Sequence, residues 1–165
     1  MNDKNPYILV LGASIVDIFG FCGRSYAQRD SIPGHIKISF GGVCRNIAEN
    51  LARVGVETKF ISTLGDDENG KSIFEHSKKL GYSMEHSLFL KNESTPTYMA
   101  ILNHQGEMES AVVDMESLNK MDESFIDEKD SIFRNAQYTI VDSDNPVLLE
   151  YILKKYEGVS NFILD

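Results

Sequence analysis

Gly41-Gly42-Val43-Cys44-Arg45-Asn46-Ile47-Ala48-Glu49-Asn50-Leu51-Ala52-Arg53-Val54-Gly55 is the stretch whose reading decides the fold. Ile47, Ala48, Leu51 and Ala52 recur at helical spacing and make one apolar face, so the stretch predicts a helix from about Val43 to Val54. Gly55 stands where a C-terminal cap glycine belongs. Two glycines directly before a helix let the backbone approach a ligand closely and leave free N–H groups pointing outward. Asn46 falls in the first turn, and its amide can both donate and accept, as a polyol hydroxyl requires. Taken alone, the pattern equally suits a tight turn in which Asn46 helps to cap the helix. Arg45 lies at the anion-attracting end of the helix or is a plain surface residue.

Toward the N-terminus, Tyr7-Ile8-Leu9-Val10-Leu11 is a continuous apolar run ending at Gly12. Such a run reads as a strand buried on both faces. Two extended pieces follow, around 15–22 and 35–40, punctuated by Gly20, Gly23, Pro33 and Gly34. Asp17 comes shortly after the first strand's end, where ligands gather in open α/β sheets. Its neighbours Ile15, Val16, Ile18 and Phe19 are apolar, and a carboxylate in that setting needs a partner. Two adjacent sugar hydroxyls would serve, and so would loop amides.

Toward the C-terminus, the pattern gives a strand over 58–64, a loop over 65–70 and a helix over about 71–80 stopped by Gly81. Gly65-Asp66-Asp67-Glu68-Asn69-Gly70-Lys71-Ser72 formally matches a P-loop. Carboxylates occupy most of its variable positions, where a triphosphate would lie. At an effective dielectric of about 20, each unit-charge repulsion at about 4 Å costs about 4 kcal/mol. The stretch therefore reads as an acidic turn. Thr97–Leu102 and Glu107–Val113 bracket a four-residue loop as a β-hairpin with Ser94, Thr95 and Thr97 near its base. Residues 105–130 hold nine Asp/Glu against two Lys and read as solvated surface. Tyr138–Val141 reads as a buried strand. Asn145-Pro146 caps a helix to about Tyr156, and Phe162-Ile163-Leu164 begins a further strand. The alternation predicts an α/β fold, a parallel sheet covered by helices, with the hairpin and the 15–40 pieces as a flap or small second sheet. A sheet ending on a newly begun strand reads as a fragment, or as an edge covered by another copy.

Composition narrows the function. A net charge of -9 argues against a nucleic-acid backbone as partner. Cys22 and Cys44 sit in unrelated contexts, and His35, His76, His86 and His104 show no metal spacing. The run at 7–11 is too short for a signal segment or a membrane span, which makes the cytoplasm the default location.

Together these motifs resemble the PfkB (ribokinase-like) family of carbohydrate and nucleoside kinases. Gly41, Gly42, Asn46, Ala48, Gly55 and Gly65 stand in register with the family's first signature, and Gly12 with Asp17 matches its first strand and sugar-binding aspartate. The turn Gly65–Gly70 is similar to the family's acidic turn. Cys44 departs from the usual Gly or Ala, and Ile15 replaces a polar sugar contact of ribokinase, which counts against ribose. Residues 33–53 and 94–102 resemble most the pseudouridine kinases. The resemblance implies a three-layer α/β/α Rossmann-type fold with a small β lid over about 15–40 and 95–114, the whole of 1–165 being the N-terminal part of one kinase domain. It implies that Asp17, Gly41, Gly42 and Asn46 hold sugar hydroxyls, that Asp144 lies near the substrate, and that Thr95 or Thr97 faces a nucleoside base. It further implies ATP-dependent phosphorylation of a hydroxymethyl group, with ATP and Mg2+ serving the complete enzyme. The family's Gly-Ala-Gly-Asp region, with the catalytic base and anion hole, does not occur in this sequence, nor does the nucleotide site. The implied role is the substrate-binding half, inactive alone, with a homodimer formed through lid strands or an exposed sheet edge. A non-catalytic sugar- or nucleoside-binding or dimerisation module is the alternative.

Overall fold

The computed structural model describes residues 6–165, so the first five residues of the expected domain lie outside the described part. Its centre is strand β1 (Ile8–Leu11). Parallel partners flank it on both sides: β4 (Thr58–Ile61) on one, and β9 (Tyr138–Val141) followed by β10 (Phe162–Leu164) on the other. Alternation along β1 sends Leu9 and Leu11 to one face and Val10 to the other. The first face is covered by α3 (Glu123–Glu128), α4 (Asp130–Arg134) and α5 (Pro146–Lys155), through Ile126, Phe133, Leu148 and Ile152. The second is covered by α1 (Val43–Arg53) and α2 (Glu68–Leu80), through Cys44, Ala48 and Ile73. The result is the expected three-layer α/β/α arrangement.

A second sheet stands off this core. Its order is β3 (Gly34–Gly41), β2 (Ile15–Cys22), β7 (Thr97–Leu102), β8 (Met108–Asp114). β2 pairs antiparallel with β3 and parallel with β7, which makes the hairpin β7–β8 an extension of the 15–40 strands. The two segments expected to form a flap are thus one four-stranded lid.

Three expectations need correction. The strand over 58–64 breaks at Ser62, whose N–H is taken by Ser87 Oγ and whose carbonyl accepts from the Leu88 N–H. Beyond the break, β5 (Thr63–Gly65) pairs with β6 (Leu88–Leu90), a strand too short to show a period in the sequence. Helix α2 begins at Glu68 rather than Lys71, because Asp67 caps it by accepting from the Gly70 N–H at 2.8 Å. The acidic 105–130 stretch is not wholly solvated. A short 3-10 helix (Glu116–Lys120) and α3 turn Ser117, Met121 and Ile126 into the core while the carboxylates stay outside.

Candidate functional site

Asp17 sits on β2 where the lid leaves the core, opposite Ser39 on β3. Its carboxylate is half-buried and makes no hydrogen bond to another described residue. Burial raises the carboxyl above its ordinary range, and the nearby Arg45 charge draws it part of the way back. Gly41 makes room for it: a Cβ there would lie 2.0 Å from Asp17 Oδ2. Gly42 has φ 97 and would put a Cβ 2.3 Å from the Ala13 carbonyl oxygen. The glycine pair therefore lets β3 turn into α1 directly against the end of β1. No side chain caps α1. Its first-turn amides are therefore left without a side-chain acceptor.

Asn46 is exposed on the first turn of α1. Its Oδ1 accepts from Arg45 Nη2 at 2.6 Å. Arg45 is only 6% exposed, so the surface reading of this residue is wrong. Its Nε donates to the Gly41 carbonyl at 3.1 Å and its Nη1 to Glu49 Oε2 at 2.7 Å. Sequence reasoning left Arg45 between a place at the anion-attracting helix end and a plain surface position, and did not foresee its burial. The one available signal was Glu49 four residues on, at ion-pair spacing.

The remaining predicted residues divide. Asp144 lines a cleft of about 390 Å³ at the C-terminal ends of β1 and β9, with Gly12, Ala13, Ile15, Asp142 and Asn145. Met115, Leu118 and Met121 close it from the other side. Burial and then the neighbouring Asp142 raise the Asp144 carboxyl. Asp142 Oδ2 accepts from the Ala13 N–H at 3.1 Å, which ties β9 to the loop leading to Asp17. Thr95 does not face a ligand. It is fully buried, its hydroxyl donates to Asp67 Oδ1 at 2.6 Å, and it accepts from the Gly65 N–H at 3.1 Å. The Thr97 hydroxyl donates to the Thr95 carbonyl at 2.9 Å, though the residue stays partly accessible beside β2. On the lid face that carries Asp17, the register adds Phe19 and Tyr98, whose ring centroids are 6.1 Å apart.

The P-loop match is accounted for by geometry. Asp67 points inward to Gly70 and Thr95, and Lys71 pairs with Glu68 at 2.6 Å. Burial alone would raise the Asp67 carboxyl. Hydrogen bonds from the Thr95 hydroxyl and backbone and from the Gly70 N–H outweigh it and hold the carboxyl below its usual value. A turn closed on its own carboxylate has no cradle for a triphosphate. Among the described residues, no three His, Cys, Asp or Glu side chains gather as a metal site would require. No helix there is long and apolar enough to cross a membrane.

Residues 5–157 match the model of the pfkB family carbohydrate kinases. The pseudouridine kinase of Escherichia coli is 30% identical over 99% of this chain and 52% of its own length. A guanosine-inosine kinase of Exiguobacterium acetylicum is 28% identical over 72% of this chain and 39% of its own. A candidate sugar kinase from Clostridium perfringens, known as a crystal structure, superposes with a TM-score of 0.94 at 61% identity, covering 98% of this chain and 52% of that one. The chain thus spans about half the length of the Escherichia coli and Clostridium perfringens relatives. With the family model spanning nearly all of its residues, the three-layer core under a four-stranded lid is the ribokinase-like fold, and the chain belongs to the pfkB family of carbohydrate kinases.

Proposed function

We propose that these residues form the substrate-holding part of a kinase that phosphorylates a hydroxymethyl group on a sugar or nucleoside. The observation that carries this reading is the Asp17 carboxylate. It is half-buried, has no hydrogen-bond partner among the described residues and is packed against the bare Cα of Gly41. A desolvated anion left without donors lowers its free energy by accepting from ligand hydroxyls. Gly42 and Asn46 add polar backbone and amide groups suited to a polyol, and Asp144 lies in the separate cleft that Ala13 joins to Gly42. Phe19 and Tyr98 offer flat apolar surface on the lid face above Asp17. That surface favours a nucleoside, and similarity to a pseudouridine kinase points the same way. Thr97, paired with Val16, falls on the opposite face of the lid from Tyr98 and does not join this surface, and Thr95 only braces the start of β7.

ATP and Mg2+ would be the co-substrates, bound by groups outside these 165 residues, and the cytoplasm is the compartment that supplies them. Phosphoryl transfer rests on positioning and charge stabilisation around the transferred group. The present residues supply neither a nucleotide cradle nor the Gly-Ala-Gly-Asp segment, so the chain alone is inactive in this reading. We assign the lid a second role as a homodimer surface. Its face away from Asp17 carries the cross-strand row Ile38, Ile18, Met99, Val112. Ile38 is 62% and Val112 68% exposed, and a contiguous exposed apolar row of this kind marks an interaction surface.

Calorimetric titration with pseudouridine, inosine and ribose tests the reading. Asp17→Ala and Asn46→Ala should each weaken binding of the best ligand at least tenfold. Unchanged affinity in both variants would remove the assigned site. Turnover of ATP by the 165-residue chain would overturn the assignment of transfer to groups outside it.

A further inference from the structure

We infer that Arg45 is a positioning residue that fixes the hydrogen-bonding polarity of the ligand site; this rests on the proposed role of Asp17 and Asn46. An asparagine side chain can turn either its oxygen or its nitrogen toward a ligand. Here that choice is made by the protein. Arg45 is anchored at two further points, the Gly41 carbonyl and Glu49. Glu49 is itself held by Arg53, at 2.7 Å, and by its approach to His76. The remaining fork of the guanidinium reaches Asn46 Oδ1. This fixes the side-chain flip, so that Asn46 turns Nδ2 away from the guanidinium as a donor while its Oδ1 is engaged by Arg45. Asp17, ionised, presents only acceptors. A ligand hydroxyl that accepts from Asn46 and donates to Asp17 satisfies both. An ether or keto oxygen satisfies one and leaves the carboxylate bare. The same guanidinium also bonds the carbonyl of Gly41, the residue whose bare Cα adjoins the Asp17 carboxylate, so one side chain orders both halves of the site.

Lysine cannot take this role, because a point ammonium does not reproduce a planar fork spanning three acceptors. A purely structural arginine would behave differently. Replacing a buried ion pair by apolar residues of similar volume is often neutral for stability. Arg45→Met combined with Glu49→Leu should therefore keep the fold, as judged by thermal unfolding, yet lose at least tenfold in affinity for the nucleoside or sugar that the wild-type chain binds. Arg45→Lys should lose affinity similarly. Full affinity in the folded double variant would overturn the inference, while leaving the Asp17 and Asn46 results, and so the substrate reading, intact.

A measurement on the unmutated, ligand-free chain stands apart from binding. Side-chain nitrogen relaxation should find the Asn46 amide rigid and the exposed Asn50 amide, on the same helix, mobile. The Arg45 guanidinium protons should exchange slowly. An Asn46 amide as mobile as that of Asn50 would overturn the inference even if no tested ligand binds.

Discussion

Asp17 sets a conflict between binding and folding that can be measured. Its carboxyl is raised in the folded chain, chiefly by burial. The native state thus holds its proton to higher pH than the unfolded chain, whose value is about 3.9. Stability from this group falls as pH rises through that window, and at neutral pH the charge is a net cost. Asp17→Asn should therefore raise the melting temperature at pH 7, with the gain vanishing below about pH 3.5, where both forms are neutral. Ligand affinity should be lost in the same variant, and in wild type it should decline as pH falls through the raised value. Gly41→Ala tests the other side of the contact. The methyl would lie 2.0 Å from Oδ2, so the carboxylate must move and affinity should drop by about tenfold or more, with a destabilisation of about 1–3 kcal/mol from overpacking. Calorimetry and denaturant melts on the same sample separate the two effects.

Elements, rather than single residues, explain why the acidic turn is built as it is. Asp67 caps α2 and takes both the hydroxyl and the N–H of Thr95, binding a residue two positions before β7 to the start of a core helix. Asp67→Ala removes a cap and leaves a fully buried Thr95 hydroxyl without its acceptor, at a cost of about 2–4 kcal/mol. The Asp67 carboxyl is held low in the folded state, so its contribution is present above the unfolded value and is lost as pH falls through the folded one. The penalty should shrink below about pH 4 in urea titrations. Lys71→Ala, which touches only an exposed Glu68 pair, should change neither stability nor nucleotide response measurably. The sequence made α1, β1, β9 and α5 legible because each has a strong period or a cap signal. It hid β6, which is three residues long, and it hid the break at Ser62, which depends on a side chain 25 positions away. The apolar turns within 105–130 were masked by the charges around them. At the candidate site, the grouping of Asp17 with Gly41, Gly42 and Asn46 came from the family resemblance, since spacing alone left each with a structural alternative, and the contact between Gly41 and Asp17 appears only in the fold. Thr95 could not be judged, because the burial of its hydroxyl is decided by Asp67, a partner 28 positions earlier.

For the whole molecule, the proposed pairing of lids sets the expected behaviour in solution. The outer lid face gathers Ile36, Ile38, Met99, Ile101 and Val112. If a second copy covers it, sedimentation velocity should find a dimer, and Ile38→Asp should give a folded monomer with an unchanged core, as seen by far-UV circular dichroism. A monomeric wild type at high micromolar concentration would reject the lid interface. Strand β2 belongs to both surfaces at once. Asp17 and Phe19 lie on the face proposed to meet the ligand, and Ile18 and Gly20 lie on the opposite, apolar face, where Ile18 also packs against the core. Its tolerance to change is thus unequal in kind. Substitutions affect one surface at a time, but deleting a single residue between Val16 and Cys22 would invert the strand's remaining side chains, sending greasy groups toward the ligand and aromatic ones toward the partner. A deletion scan should therefore find this short segment far less forgiving than the Arg24–Ile32 loop beside it, and length variation in such a protein should collect in that loop.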